Sequence, residues 1–416
     1  SESLTDIVFD VEANRFPAIF TLSSVNANLG VSSYEMTGRR LTITLDKPFA
    51  PGCILEIDLA FTLHVPEVGE GANAYGGYFG YTENQLNLGQ WLPMLAIRRG
   101  GEWITHEVSA IGEQVVVDVA DWNVTVSVND ATDKLMIAAP GTLVEHDAAA
   151  KRWHYTMQNA REFTISLSPL FVVQTAESER GVDVELYTYA DQTSDTAKGK
   201  IDNAQQALDA ATQALSMYAD LFGAFPYERY IVVEGDFPDG MEFSGIVFVS
   251  DQWFRTNTGT AESYLTIITV HETSHQWWYA RVGSDQALNP WMDEALAAYS
   301  EYIFFEEHYP DLKKWWWNFR VDSYVGQNYN GKRVDSSVYD FETARDYINA
   351  VYLRGAHMLD DLRGLLGTDV FFDWLRRYAQ VGQNRVVTPD VFWSLLTPDQ
   401  LAKTQLIRSK YLSGPQ

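Results

Sequence analysis

The 416-residue chain contains a single cysteine, Cys53. That excludes an internal disulfide framework and a zinc site built on several cysteines. Basic residues are also scarce: 30 Lys and Arg stand against 56 Asp and Glu, for a formal net charge of −26. Such a surface repels phosphates, which argues against nucleic acid and anionic membranes as partners. No apolar run approaches the roughly 18 residues of a membrane span; Leu265 to Val270 is among the longest. The opening Ser-Glu-Ser-Leu-Thr-Asp has neither a basic region nor an apolar signal core. No motif repeats at a period of about 20–50 residues. What remains is ordinary globular composition, 46% hydrophobic and 21% charged, in a chain long enough for two or three domains at about 100–200 residues each.

The two halves read differently. Over residues 1–178 apolar residues alternate with polar ones, as in Leu41–Leu45, Ile54–Leu63, Val115–Val119, Val124–Val128 and Phe163–Leu167. Period two marks half-buried strands, and Gly, Pro and Asn-Asp turns separate them. This predicts a β-sandwich or saddle-like sheet domain, with Trp91, Trp103 and Trp122 on its core or sheet faces. From residue 179 to 416 the pattern changes near the charged turn Glu177–Gly181. A strand pair is expected at Val182–Tyr189 and Tyr230–Glu234, and a helix over Asp202–Phe222. From Ala261 onward the period is helical almost throughout. The second domain is therefore α-rich with a small sheet in front.

The chemistry concentrates in His271-Glu272-Thr-Ser-His275, an HExxH motif inside a helical stretch from Tyr264 to Val282. Residues four apart on a helix lie about 40° apart around its axis, so both imidazoles leave one face. Two such nitrogens supply one side of a tetrahedral zinc site. Glu272 lies on the flank, placed to take a proton from water without ligating the metal. Glu294 follows His275 by 19 positions, in a new helix opening at Asn289-Pro290. A return helix brings that carboxylate to the metal, and its flanks Trp291, Met292, Ala295 and Leu296 argue for burial. The expectation is one zinc ion per chain, held by His271, His275 and Glu294, with an open fourth position.

These residues, His271 to Trp278 followed by Trp291 to Glu301, resemble the gluzincin aminopeptidases of the aminopeptidase N and leukotriene hydrolase type. The resemblance implies a saddle-like N-terminal domain and a thermolysin-like catalytic domain. It implies a zinc-dependent aminopeptidase acting on peptides with a free N terminus. Asp239-Gly-Met-Glu-Phe-Ser-Gly245 is similar to the family's Gly-x-Met-Glu-Asn segment, with Asp239 and Phe243 in place of Gly and Asn. Glu242 then binds the substrate's α-ammonium, which selects the first peptide bond. Gly240 and Met241 offer backbone contacts to the substrate. Val351-Tyr-Leu-Arg-Gly355 is similar to the family's Tyr-Glu-Lys-Gly segment. It implies Tyr352 as oxyanion donor, with Tyr347 as the nearby rival. The family's large helical C-terminal domain has no counterpart beyond a helical tail from about Thr388 to Tyr411. An unusually open cleft is expected.

Two other functions compete. A thermolysin-like endopeptidase shares the motif, but an amine-binding Glu242 opposes internal peptide bonds. A scaffold on a dead peptidase fold should have lost a ligand or the base, and all four of those residues are present. Glu301 is either a hydrogen-bond acceptor for a ligand imidazole or a solvated helix residue. Trp315-Trp-Trp317 reads better as packing than as cleft wall. His308 and His357 lack ligand spacing and read as structural. Asn123-Val-Thr125 is a sequon inside a strand and carries no weight. The acidic, lysine-poor composition leans towards a secreted or extracytoplasmic bacterial protein without fixing the compartment. Oligomeric state and side-chain preference are not encoded in these motifs.

Overall fold

The computed structural model describes residues 3–16, 18–68, 76–129, 132–189, 192–196, 199–326 and 329–414. The N-terminal region is built from short antiparallel sheets. One has the strand order Val31–Thr37, Arg40–Phe49, Leu4–Asp10, Met94–Leu95. Its inward faces carry Ile7, Leu41, Ile43 and Leu45, all buried, at the period-two spacing that puts alternate residues on one face. A second sheet pairs Arg152–Ala160 with Ala120–Ser127 on one side and Thr142–Asp147 on the other. Its residues Trp153, Tyr155 and Met157 belong to the same buried core as the helices that follow.

One expected strand is absent. In Val115–Val119 the first three residues are buried, Asp118 is exposed and Val119 half-buried, and the segment makes a single bridge, from Val117 to Ala96, among the described residues. Side chains donate to one carbonyl within the segment and to the one just before it. Arg161 Nη1 donates to Val117 O at 2.7 Å, and Arg39 Nη2 donates to Gln114 O at 3.2 Å. Alternation in sequence therefore reflected burial, not sheet pairing.

The second region opens with a five-stranded mixed sheet. Its order is Phe171–Glu177, Asp183–Tyr189, Arg229–Gly235, Ile246–Ser250, Gly240–Phe243. The three inner strands are parallel and both edge strands antiparallel. The charged turn near residue 178 is the loop of the first hairpin, so Phe171–Glu177 belongs to this sheet. Tyr230–Val233 and Ile246–Val249, in the middle of the sheet, are buried and apolar on both faces, as parallel strands covered on both sides must be. The helix Asn203–Phe222 forms the crossover between the first two parallel strands. Asp202 caps it by accepting from Gln205 N at 3.0 Å, and Gly223 ends it at φ 109°.

That helix packs its alanine-rich face, including Ala207, Ala211 and Ala214, against the central helix Tyr264–His275. Small side chains let the two approach closely. From Leu265 to His275 every residue of the central helix is buried, so it has no solvent face and no amphipathic stripe. The α-helix stops at His275, and Gln276–Arg281 continues as one π-helical turn into a short strand. The return helix Trp291–His308 lies beside it. Trp278 Nε1 donates to Ser300 Oγ at 2.9 Å, and Tyr218 OH donates to Ser300 O at 2.9 Å, which ties the three helices together. Further helices, among them Arg354–Leu366 and Thr368–Val381, complete the α-rich half. Among the described residues no helix is long and apolar enough to cross a membrane.

Candidate active site

His271, His275 and Glu294 converge as the spacing predicts. Their ligand atoms lie within 4.8 Å of one another, and all three residues are buried. The Nε2 atoms of His271 and His275 face one Glu294 oxygen, at 3.3 and 3.6 Å. That oxygen, Oε2, is buried without a hydrogen bond of good geometry.

Each imidazole is held from behind. His271 Nδ1 is 2.8 Å from Glu301 Oε1, and His275 Nδ1 is 2.5 Å from Asp293 Oδ1. Those acceptors make Nδ1 the protonated nitrogen and turn the Nε2 lone pairs towards Glu294. Glu301 is fully buried and is itself fixed. Arg320 donates to both its oxygens at 2.9 Å, and Trp316 Nε1 donates at 3.1 Å. The solvated reading of Glu301 is thereby excluded. Trp316 packs behind the site, and the tryptophan triplet does not line the cavity.

The donor set fits zinc. Two neutral imidazole nitrogens and one carboxylate oxygen face a common point, with carboxylates orienting both rings. The charge balance asks for a cation there. Burial opposes a charge on His271, yet hydrogen bonds to Glu294 and Glu301 overcome it and push its pKa up to about 10. Burial, against the attraction of His271 and His275, pushes Glu272 up to about 7.

Glu272 lies against the edge strand. A Cβ on Gly240 would sit 2.3 Å from Glu272 Oε1, so the strand approaches this closely only because residue 240 has no side chain. The strand Gly240–Phe243 pairs only with Ile246–Ser250 among the described residues. Its far end is clamped to the π-helical turn. Gln276 Nε2 donates to Phe243 O at 2.9 Å, and Gln276 Oε1 accepts from Gly245 N at 2.8 Å. Glu162 accepts from Ser244 N at 2.6 Å and from Tyr279 OH.

Both departures from the family segment have structural accounts. Asp239 adopts φ 62°, in the left-handed region where glycine is unstrained and Asp is among the better-tolerated alternatives. Phe243 is fully buried, edge-on to Tyr78 and Phe248, and anchors the strand to the N-terminal region.

Tyr352, on the π-helical segment Ile348–Leu353, stacks on His271 with centroids 5.8 Å apart and planes 6° off parallel. Burial opposes a charge on Glu294, yet His271 and His275, with a smaller contribution from Tyr352, hold its carboxyl below the usual range. The rival Tyr347 is fully buried, with its hydroxyl towards Gly112 and outside the cavity.

Glu242 is buried and faces the same cavity of about 200 Å³. It does not act alone. Glu113, from the N-terminal region, brings a carboxylate within 4.8 Å of those of Glu242 and Glu294. Burial, and then the charge of the neighbouring acids, pushes both Glu113 and Glu242 well above the usual carboxylate range. The loop carrying Glu113 is braced by arginines: Arg15 Nη2 donates to Ser109 O at 2.7 Å, and Arg39 reaches Gln114. Gly112 precedes Glu113 at φ 65°, and a Cβ there would meet Val338 at 2.5 Å. Neither Glu113 nor Asp293 was singled out by sequence reasoning. Asp293 adjoins Glu294, and that adjacency is its only signal in the sequence. Glu113 has no local signal.

Residues 206–409 match the peptidase family M1 domain. Endoplasmic reticulum aminopeptidase 1 of Mus musculus is 29% identical over 221 residues, which cover 49% of this chain and 22% of that protein. The Homo sapiens counterpart is 28% identical over 233 residues, 50% of this chain and 23% of that protein. The matched stretch thus spans less than a quarter of these relatives. The crystal structure of an M1 zinc metallopeptidase from Deinococcus radiodurans shares the fold, with TM-score 0.67 and 18% identity, covering 100% of this chain and 87% of that one.

Proposed function

We propose, from the match of residues 206–409 to the peptidase family M1 domain and from the geometry of the site, that the protein is a zinc-dependent aminopeptidase removing the first residue of peptides. The observation that carries this reading is the pair Glu113 and Glu242. Two buried carboxylates meet beside His271, His275 and Glu294, and neither has an ion pair among the described residues. A substrate ammonium supplies the missing cation. Once it is bound there, only the first peptide bond reaches the metal cluster, which separates exopeptidase from endopeptidase action.

When bound by His271, His275 and Glu294, zinc supplies Lewis acidity and acidifies water. Glu113 and Glu242 orient the ammonium. Gly240 and Met241 pair with the substrate backbone along the free strand edge. Glu272, beside Gly240, takes a proton from the attacking water and delivers it to the leaving amine. A carboxyl pushed up to about 7 is matched to both tasks near neutral pH. Tyr352 donates its hydroxyl to the developing oxyanion, and its stacking on His271 fixes where that hydroxyl stands.

The test uses aminoacyl p-nitroanilides beside their N-acetylated forms. Cleavage confined to the free-amine series, and lost in Glu272→Gln, supports the reading. Equal cleavage of acetylated substrates refutes the role of Glu113 and Glu242 and leaves an endopeptidase. No cleavage by folded, zinc-loaded protein leaves the scaffold.

A further inference from the structure

The turn between the short strand Val282–Gly283 and the return helix carries a side chain that touches both halves of the site. Gln286 is buried, and its Nε2 donates to Asp293 Oδ2 at 2.6 Å and to Glu242 Oε1 at 3.3 Å. Asp293 holds His275 through its other oxygen. Glu242 is the acid assigned to the substrate ammonium. One amide nitrogen therefore stands between the acid that orients a metal ligand and the acid that receives the amine.

The turn itself is fixed from outside the cavity. Asp285 Oδ1 accepts from Leu288 N at 3.1 Å, and Asp285 O accepts from Asn289 N at 2.7 Å, which closes the turn. Val338 N donates to Ala287 O at 2.9 Å. His106 Nε2, from the N-terminal region, lies 2.9 Å from Asp285 Oδ1. The backbone at Gln286 is thus anchored, and the two acids take their places around its amide.

Charge explains why an amide stands here. Glu242 belongs to two groups of converging ligand atoms, one with His275 and Asp293 and the other with Glu113 and Glu294. Like charges this close repel, and burial strengthens the repulsion. A lysine or arginine between them would relieve it, but would also supply the positive charge that a substrate ammonium brings. A side-chain amide offers two N–H donors and no charge. It can fix two carboxylates relative to each other and leave their charge for the substrate. Among the described residues, Glu242 accepts a side-chain hydrogen bond from Gln286 alone.

We propose that Gln286 is a positioning residue, a neutral donor that ties Glu242 to Asp293 and so holds the amine site and the metal ligand His275 in one fixed relation. The proposal rests on the aminopeptidase reading for the occupant of Glu242.

The test compares Gln286→Met with its parent, both in zinc-loaded Glu272→Gln protein. Calorimetry measures binding of Leu-Gly-Gly and of 4-methylpentanoyl-Gly-Gly, which lacks the α-amine. A competitive chelator titration measures zinc affinity on the same proteins. Methionine fills similar space without a donor. It should cut the advantage of the amine over the desamino analogue by about tenfold and weaken zinc binding by about tenfold. The affinity of the analogue itself should not change. Loss of either effect alone overturns the bridge, as does loss of neither. Equal weakening of both ligands also overturns it, because loosened packing would act on both. Gln286→Lys covers a methionine variant that fails to fold. It keeps a donor and offsets the charge of the acids, yet its ammonium should abolish the amine advantage; a retained advantage overturns the proposal. The parent protein separates the two readings. An amine advantage there that is insensitive to Gln286→Met removes only the role of Gln286. No amine advantage there, with no cleavage of free-amine substrates by the wild type, removes the aminopeptidase reading and the proposal with it.

Discussion

Substituting Gly240 by alanine tests how tightly the general base is placed. The new Cβ would lie 2.3 Å from Glu272 Oε1, 2.7 Å from Cδ and 2.9 Å from Cγ. Ordinary contact begins near 3.4 Å, so the carboxylate must retreat by about 1 Å. The group that moves is the end of a flexible side chain, so the fold yields cheaply. Gly240 does not occupy the left-handed region, so alanine also narrows the unfolded ensemble, worth roughly 0.4–1 kcal/mol in favour of folding. Stability should therefore change by less than about 1 kcal/mol. Catalysis should suffer far more, because a misplacement of about 1 Å costs on the order of 10²-fold in rate, or about 2.7 kcal/mol in barrier. The assay is steady-state hydrolysis of leucine p-nitroanilide by wild type and Gly240→Ala, with zinc content and thermal unfolding measured on the same samples. A kcat within threefold of wild type, in folded and zinc-loaded protein, would refute the placement of Glu272 as base against this strand.

Other perturbations follow from the same geometry. Asp293→Asn weakens the acceptor that orients His275, so zinc affinity should fall by about 10–100-fold in a competitive chelator titration; unchanged affinity would count against that role. Glu301→Ala strips Arg320 of its carboxylate inside the protein. It should destabilise the zinc-free protein by about 3–5 kcal/mol in a denaturant titration. Glu234 accepts from Tyr189 N and Gln192 Nε2, yet burial outweighs them and pushes it up to about 7. The folded state then holds a proton that the unfolded state releases near pH 4.5. Stability is lost as pH rises from there through about 7, by up to about 3 kcal/mol. Glu234→Gln should flatten that slope in unfolding curves taken at pH 5 and pH 8, and an unaltered slope would reject the assignment.

The legibility of this protein tracks where its groups lie along the chain. His271, Glu272 and His275 share one turn of helix, and Glu294 sits at the start of the next, so helical geometry alone brings them together. Glu242 was readable only through the resemblance of Asp239–Gly245 to the family's segment. Glu301 was recognisable as a candidate, but its role depended on Trp316 and Arg320, which no spacing announces. Glu113 was hidden because it reaches the site from another region, on a loop held by side chains of distant residues. The neighbouring Val115–Val119 was apolar like a strand because Val115 to Val117 are buried, while the Arg161 guanidinium, not a strand ladder, takes up the Val117 carbonyl. The helical reading of Tyr264–Val282 was right in period but missed the π-helical turn, whose Gln276 clamps the edge strand.

The account stands on a single metal centre with Glu272 as its base. The most direct measurement titrates zinc into metal-stripped protein while following hydrolysis of leucine p-nitroanilide, for wild type and Glu272→Gln in parallel. Activity of the wild type should rise from zero and saturate at one equivalent of zinc per chain, while Glu272→Gln should bind the same single equivalent and remain inactive. Turnover by stripped protein, or by zinc-loaded Glu272→Gln at a rate near wild type, would contradict it.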